Sequence, residues 1–140
     1  MKKPITNRVF IQPLASLTPE EQESQQERAL EAFNQNRLEL ATERRKACQK
    51  GEPALHRLVK VARHDTGQSL IIRRFLLGLY NGYQHKFSLT ELRNLDKQLF
   101  YDCLAVLILD ARVTAQEIHL YVEQGDYLFA EWADSVRGRV

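Results

Sequence analysis

An uninterrupted helical stretch near the start most constrains the fold of this chain. Neither glycine nor proline occurs from Glu20 to Lys50. Before this stretch, Thr18 is a favoured helix N-cap and Pro19 suits the first helical position, while early glutamates face the positive end of the helix dipole. Three consecutive basic residues, 44–46, suit the negative end. The sequence therefore predicts a helix over residues 18–50.

This helix is polar, with only a thin apolar stripe. The stripe consists of Leu30, Phe33, Leu40, Ala41 and Cys48. A helix with so narrow a stripe either packs along one seam or meets a partner. We expect it to end at Lys50-Gly51-Glu52-Pro53, because glycine and proline are poor helix formers.

The rest of the chain also has helical periodicity, and no segment alternates with period two. Two capping-box patterns, Ser88–Glu91 and Thr114–Glu117, mark helix starts. The predicted helices are Ala54–Arg63, Leu70–Tyr80, Ser88–Asp110, Ala115–Val122 and Tyr127–Val136. We therefore predict a single all-α domain of five or six helices. It would comprise an extended N-terminal arm (residues 1–17), the long polar helix (18–50) and a compact helical body (54–140).

The two cysteines and the apolar runs bear on location. Cys48 and Cys103 form no disulfide or C-x-x-C pattern, which fits a reducing compartment. The apolar stretch near the N-terminus is interrupted at Gln12 and Pro13, so it is too short to form the apolar core of a signal peptide. No apolar run approaches the roughly 20 residues that span a bilayer. These features predict a cytoplasmic protein with no membrane segment.

The tripeptide Asp65-Thr66-Gly67 matches the catalytic loop of retroviral-type aspartic proteases. In those enzymes the loop follows a buried strand, and two copies share a proton. Here a helical pattern stands on both sides, so we interpret the motif as a turn between helices. Gly67 would supply a positive φ, and Asp65, Thr66 or Ser69 would bond free helix-end amides. Gly67→Val is then expected to impair folding.

Metal and nucleophile patterns are missing from the sequence. The four histidines, at positions 56, 64, 85 and 119, have no ligand spacing such as H-E-x-x-H. Cys103 lies in an apolar run and is interpreted as a core residue. No glycine-rich phosphate loop occurs. We predict no metal, no cofactor and no catalytic residue.

Two acids stand out on the predicted helix 88–110. Asp96 and Asp110 lie seven residues either side of Cys103, on a stripe that runs through the leucines of its apolar face. Both carboxylates should therefore point towards the core and need partners. Arg73, Arg112 or the amides of the 65–69 turn are the candidates, so that each acid would serve in a buried ion pair or as a helix cap.

Charge is unevenly distributed. Residues 37–74 carry ten basic and four acidic side chains, a net +6, whereas residues 75–140 carry a net −3. A basic face able to follow phosphates would consist of Arg44, Arg45, Arg57, Lys60, His64 and Arg74. No base-stacking or helix-turn-helix pattern accompanies it.

Several short blocks carry a family resemblance. They are Asp65–Ser69, Phe75–Leu77, Tyr80-Asn81, Phe87–Leu92, Leu95-Asp96, Asp102–Leu107 and Ala111-Arg112. Over residues 54–133 the chain resembles a family of small uncharacterised proteins encoded on integrative and conjugative elements and genomic islands of Gram-negative bacteria. The resemblance implies accessory cargo of a mobile element and no known activity.

These observations together predict a non-enzymatic protein-interaction module, such as a regulator, an accessory factor or an inhibitor of host defence. Its protein partner is unidentified, and the long helix makes self-association a further expectation. A nucleic-acid-binding accessory using the basic 37–74 region is the alternative. A hydrolase using Asp65, Asp96 or Asp110 is the third hypothesis.

Overall fold

The computed structural model describes residues 16–137, and within this range the chain is helical and has no β-strand. The all-α prediction is confirmed. The predicted arm lies almost wholly outside the described residues. The α-helices are α1 (Pro19–Ala62), α2 (Gly67–Tyr80), α3 (Lys97–Ile108) and α4 (Gly125–Arg137). Between them lie 3-10 helices at Leu89–Asn94 and Ile118–Tyr121 and a π-helical turn at Leu109–Val113.

The chain divides into two compact units, residues 1–40 and residues 41–140. The described part of the first unit begins with the predicted cap. The Thr18 hydroxyl accepts a hydrogen bond from the Glu21 amide at 3.3 Å, and the Glu21 carboxylate accepts one from the Thr18 amide at 2.9 Å. From residue 16 to residue 40 no residue is buried. Packing within this unit therefore does not cover its apolar side chains.

The second unit contains the hydrophobic core, to which all four α-helices contribute. Leucine, isoleucine and aromatic side chains from several helices are completely enclosed. The largest are Leu55, Leu58, Ile72, Leu76, Leu77, Ile118 and Phe129. A smaller cluster consists of Ala47, Leu109 and Val113. The buried α1 residues of this unit, from Ala47 to Ala62, thus pack along about four turns, and this packing outweighs their weak local helix propensity.

The predicted break between residues 50 and 54 is wrong, because α1 continues through Gly51 and Pro53. Gly51 is buried against Leu109: a Cβ added to this glycine would lie 2.6 Å from the Leu109 Cβ. Glycine here permits close approach of two helical segments and does not end the helix. Pro53 lacks an amide and so omits one helical hydrogen bond. Burial of the alanines and leucines around it holds the helix together.

The predicted single helix over 88–110 is also wrong. The Ser88 pattern opens only the 3-10 helix Leu89–Asn94, and Ser88 makes no side-chain cap. Glu91, the last residue of the pattern, binds Arg74 and does not return to the Ser88 amide. The chain is extended at Leu95 and Asp96 before α3 begins. Helix α3 therefore starts after Asp96 and not after Ser88, and residues 89–95 do not share its helical periodicity.

The predicted helix Ala115–Val122 is reduced to the 3-10 turn Ile118–Tyr121. Left-handed residues stand on either side of it, Thr114 at φ 47° and Gln124 at φ 54°. Gly125, which begins α4, packs directly on the His119 backbone. A Cβ at this position would lie 1.8 Å from the His119 carbonyl oxygen. The connection consequently has no room for a side chain at Gly125.

Candidate functional site

The Asp65–Ser69 segment joins α1 to α2, as predicted. Thr66 is the N-cap of α2: its hydroxyl accepts a hydrogen bond from the Ser69 amide at 3.1 Å and pairs with the buried Ser69 hydroxyl at 2.7 Å. The predicted role of Gly67 is wrong, because no glycine among the described residues has a positive φ. Gly67 is the first residue of α2, and nothing lies within 4 Å of a Cβ added there.

Arg73 binds the α1 side of the turn between α1 and α2. Its guanidinium donates hydrogen bonds to the carbonyl oxygens of Ala62 and His64. These carbonyls belong to the end of α1, where helical partners run out. Arg73 is thus committed to a helix C-terminus and does not pair with Asp96 or Asp110, contrary to the sequence-based expectation.

Asp96 is not a buried acid. It is the exposed N-cap of α3, and its carboxylate accepts a hydrogen bond from the Leu99 amide at 2.9 Å. Its own amide donates to the Gln68 side chain at 2.7 Å, which ties the start of α3 to the start of α2. The prediction failed because the helix breaks at Asp96, so the assumed stripe does not pass through this residue.

Asp110 is half-buried in the π-helical turn. Burial, and then the nearby charge of Glu117, raises the pKa of Asp110. Asp110 lines an open cavity of about 600 Å³ together with Thr114 and Glu117. Its proposed partner Arg112 instead pairs with Glu43 at 2.7 Å.

The fully buried acid is Asp102, which the sequence-based prediction missed. Its side chain is 4% exposed. It accepts two hydrogen bonds from Arg57, at 3.0 Å from Nε and 2.8 Å from Nη2, and a third from Gln98 at 3.1 Å. The bond to Asp102 raises the pKa of Arg57. Counting from a helix start at Asp96 would have placed Asp102 between the inward-facing Leu99 and Val106.

Cys103 is a core residue, as predicted, and is completely enclosed. Burial, and then the charge of Asp102, raises the pKa of Cys103 to about 12. The thiol therefore stays protonated at neutral pH and is a poor nucleophile.

The predicted basic face is only partly available. Arg57 is bound to Asp102, and Arg74 to Glu91. The other four members, Arg44, Arg45, Lys60 and His64, are exposed. Lys60 and His64 are four residues apart, whereas Arg45 lies about 22 Å from Lys60 along α1 at 1.5 Å per residue. The structure thus does not bring all six residues together on one surface.

The histidines occupy separate environments. The His119 Nε2 contacts the Asp126 carboxylate at 3.0 Å, and its ring meets Tyr80 edge-on. Residues 16–137 contain no group of three or more histidine, cysteine or acidic side chains suited to a metal ion. Over the same residues, no helix is both long and apolar enough to cross a membrane.

A largely apolar groove lies within the second unit, between the 43–50 segment of α1 and helix α3. This groove has a volume of about 700 Å³. Its apolar lining consists of Ala47, Tyr101, Leu104, Ala105 and Ile108. Tyr101 and Ile108 are 55% and 48% exposed, so large apolar surface meets solvent here.

Charged side chains surround the groove. Lys46 and Lys50, one helical turn apart, are exposed on one side. The Arg112–Glu43 pair also lines it, with the hydrogen bond from Arg112 lowering the pKa of Glu43. Three cations and one anion leave this rim with a net positive charge. Sequence reasoning missed the groove, although the run from Leu104 to Leu109 is more apolar than a helix buried on one face requires.

Comparison with known proteins identifies a family. A family model described as "Family of unknown function (DUF7673)" matches residues 52–137. No curated protein and no solved structure matches the chain. The match begins inside α1 and extends to the end of α4.

Proposed function

The chain belongs to that family of unknown function, and we propose that it is a non-enzymatic protein-interaction module that binds a protein segment in the groove between α1 and α3. The observation that carries the proposal is the exposure of Tyr101 and Ile108 on a concave, cation-rimmed surface. Exposed apolar patches bounded by polar residues mark interaction sites, and tyrosine is enriched in the centres of interfaces.

The shape and charge of the groove define the chemistry of its ligand. Two helices with a furrow between them accept the apolar face of a third helix. Lys46 and Lys50 favour a ligand helix that has acidic residues beside its apolar face. We therefore propose an amphipathic, acidic helical segment as the ligand.

The biological setting is part of the same proposal. The resemblance of the 54–133 region to proteins of integrative and conjugative elements supports a role as accessory cargo of a mobile genetic element in a Gram-negative bacterium. A regulator, an accessory factor or an inhibitor of host defence would each act by binding a protein. A cytoplasmic location is proposed on the same grounds, together with two cysteines that are both free.

A charge placed in the groove tests this function. Wild type, Ile108→Glu and the control Leu120→Glu would be used as baits in lysate of a host that carries the element, with bound proteins measured by quantitative mass spectrometry. Leu120 is 54% exposed and is not among the groove residues, so it controls for surface charge. We expect a protein that binds wild type and Leu120→Glu and is lost with Ile108→Glu. Recovery of no specific protein, or equal recovery with all three baits, would contradict the proposal.

Nucleic-acid binding is the second candidate, favoured by the exposure of Arg44, Arg45, Lys60 and His64. Phosphate contacts make affinity fall steeply with salt. DNA and RNA binding would be titrated at several salt concentrations for wild type and for Arg44→Glu/Lys60→Glu. A salt-dependent affinity that the double variant reduces would support this candidate, and unchanged binding by the variant would exclude it.

A further inference from the structure

The first unit exposes apolar side chains on one helical face. Leu30, Phe33 and Leu40 are 60%, 60% and 46% exposed. Together with Arg37 they occupy positions 30, 33, 37 and 40. The successive spacings of three, four and three residues are those of a coiled-coil seam. Nothing in residues 16–40 buries them, since no residue of that segment is buried.

The same spacing continues in the second unit, where its positions are covered. Counting in sevens from Phe33 and Leu40 gives Ala47 and Ala54, and both alanines are buried. These alanines pack in the core of the second unit, whereas the three apolar side chains of the first unit are exposed. A long helix in water depends on tertiary or intermolecular packing for its stability.

Charge along α1 indicates what covers the open half. Residues 20–31 carry five glutamates and one arginine, a net −4, whereas residues 37–50 carry five basic and two acidic side chains, a net +3. In a parallel pair of these helices, like charges would face each other at both ends. In an antiparallel pair, each acidic half lies beside the basic half of the other copy, which is the complementary arrangement.

We propose that two copies of this chain associate through α1 in an antiparallel helical pair, with Leu30, Phe33 and Leu40 in the seam. The partner is a second copy because the helix carries both complementary charges itself. Arg37, a charged residue at a seam position, weakens the pair and restricts its register. The seam residues are not among those that line the groove, but the basic half of α1 shares Lys46 and Lys50 with its rim. Substitutions at Phe33 and at Ile108 therefore test the two proposals separately.

Sedimentation equilibrium of the full chain tests the association. Wild type is expected to show a reversible monomer–dimer equilibrium over concentrations up to roughly 100 μM, a range suited to micromolar affinity. Phe33→Glu should weaken it at least tenfold. Leu38→Glu is the matched control, because Leu38 is 64% exposed but lies off the 30–33–37–40 stripe. A wild type that stays monomeric, or a dimer that both substitutions weaken equally, would overturn the proposal.

Charge exchange tests the pairing of acidic with basic halves. Glu23→Lys/Glu27→Lys brings residues 20–31 to a net charge of zero, and Arg44→Glu/Arg45→Glu brings residues 37–50 to −1. Each should reduce self-association at least tenfold, since each removes the attraction between unlike halves. Mixed in equal amounts, the two variants should form a heterodimer. Absence of that heterodimer would overturn the charge argument.

Cysteine cross-linking tests direction. In a Cys48→Ser background, Gln26→Cys should not form a disulfide between copies, because antiparallel pairing about residue 35 separates the two positions by roughly 27 Å at 1.5 Å per residue. A disulfide requires Cα atoms within about 7 Å. Rapid oxidation of Gln26→Cys to a covalent dimer would show parallel pairing and overturn the proposal.

Discussion

Replacing Arg57 should lower the free energy of unfolding more than replacing Asp102, the acid that Arg57 binds. Asp102 is almost completely enclosed, and two of its three hydrogen bonds come from Arg57. In Arg57→Met the carboxylate keeps only the neutral Gln98 amide. Breaking a buried pair at one partner costs about 3–5 kcal/mol. Because the Arg57 side chain is 52% exposed and water can reach its position, we expect about 2–3 kcal/mol.

The reverse substitution and the double variant complete the cycle. Asp102→Leu leaves a half-exposed guanidinium that water can solvate, so its cost should be about 1 kcal/mol smaller than that of Arg57→Met. Arg57→Met/Asp102→Leu removes both charges, so its free energy of unfolding should lie within about 1 kcal/mol of the wild-type value. Urea denaturation at neutral pH, followed by far-UV circular dichroism, gives the free energy of unfolding of each variant. Costs that simply add in the double variant would refute the reasoning, as would a negligible effect of Arg57→Met.

Three further predictions follow from glycine packing and from raised pKa values. Gly125→Ala should destabilise the protein by about 3 kcal/mol or more, because the added Cβ has no room. Gly67→Ala should be neutral or stabilise by up to about 1 kcal/mol, because nothing lies near the added Cβ. Urea denaturation measures the free energy of unfolding of both variants. Cys103 should resist a thiol reagent in the native state and react only on unfolding, while the half-buried Cys48 reacts first, as peptide mapping of labelled protein would show. The raised pKa of Asp110 means that the folded state binds its proton more tightly than the unfolded chain, so stability falls as pH rises from about 4 through the folded pKa. Asp110→Asn should therefore stabilise at neutral pH and have no effect below that window, which denaturation curves at several pH values would check.

Local signals predicted the features that depend on neighbouring residues. The cap at Thr18, a cap supplied by Asp65, Thr66 or Ser69, and the helix ending at Tyr80 follow from residue type and short spacing, and the structure assigns the second cap to Thr66. The Ser88 pattern misled because a Ser-x-x-Glu sequence also fits a 3-10 turn, and a second cap at Asp96 follows eight residues later. Because α3 begins only after Asp96, Leu89 and Leu92 do not belong to its apolar face, although Cys103 is in the core as predicted. Of the two acids predicted to point towards the core, Asp96 is exposed and Asp110 is half-buried.

The features that depend on distant residues could not be predicted in this way. Gly51 and Pro53 have the composition of a helix stop. The helix continues because Leu109 packs on Gly51 and because the alanines and leucines around Pro53 are buried. Asp102 finds Arg57 forty-five residues away. The groove exists because α1 and α3 lie side by side, which no local pattern specifies.

The continuity of α1 restricts how the length of this protein can change during evolution or engineering. A loop at residues 50–53 would absorb insertions of any size. Within a helix, each added residue turns the preceding heptad positions by about 100°. A single insertion near Lys50 would therefore put the buried Ala47 out of phase with the buried Ala54, whereas an insertion of seven residues would nearly restore the phase. The number of residues between Ala47 and Ala54 is thus expected to vary in steps of seven.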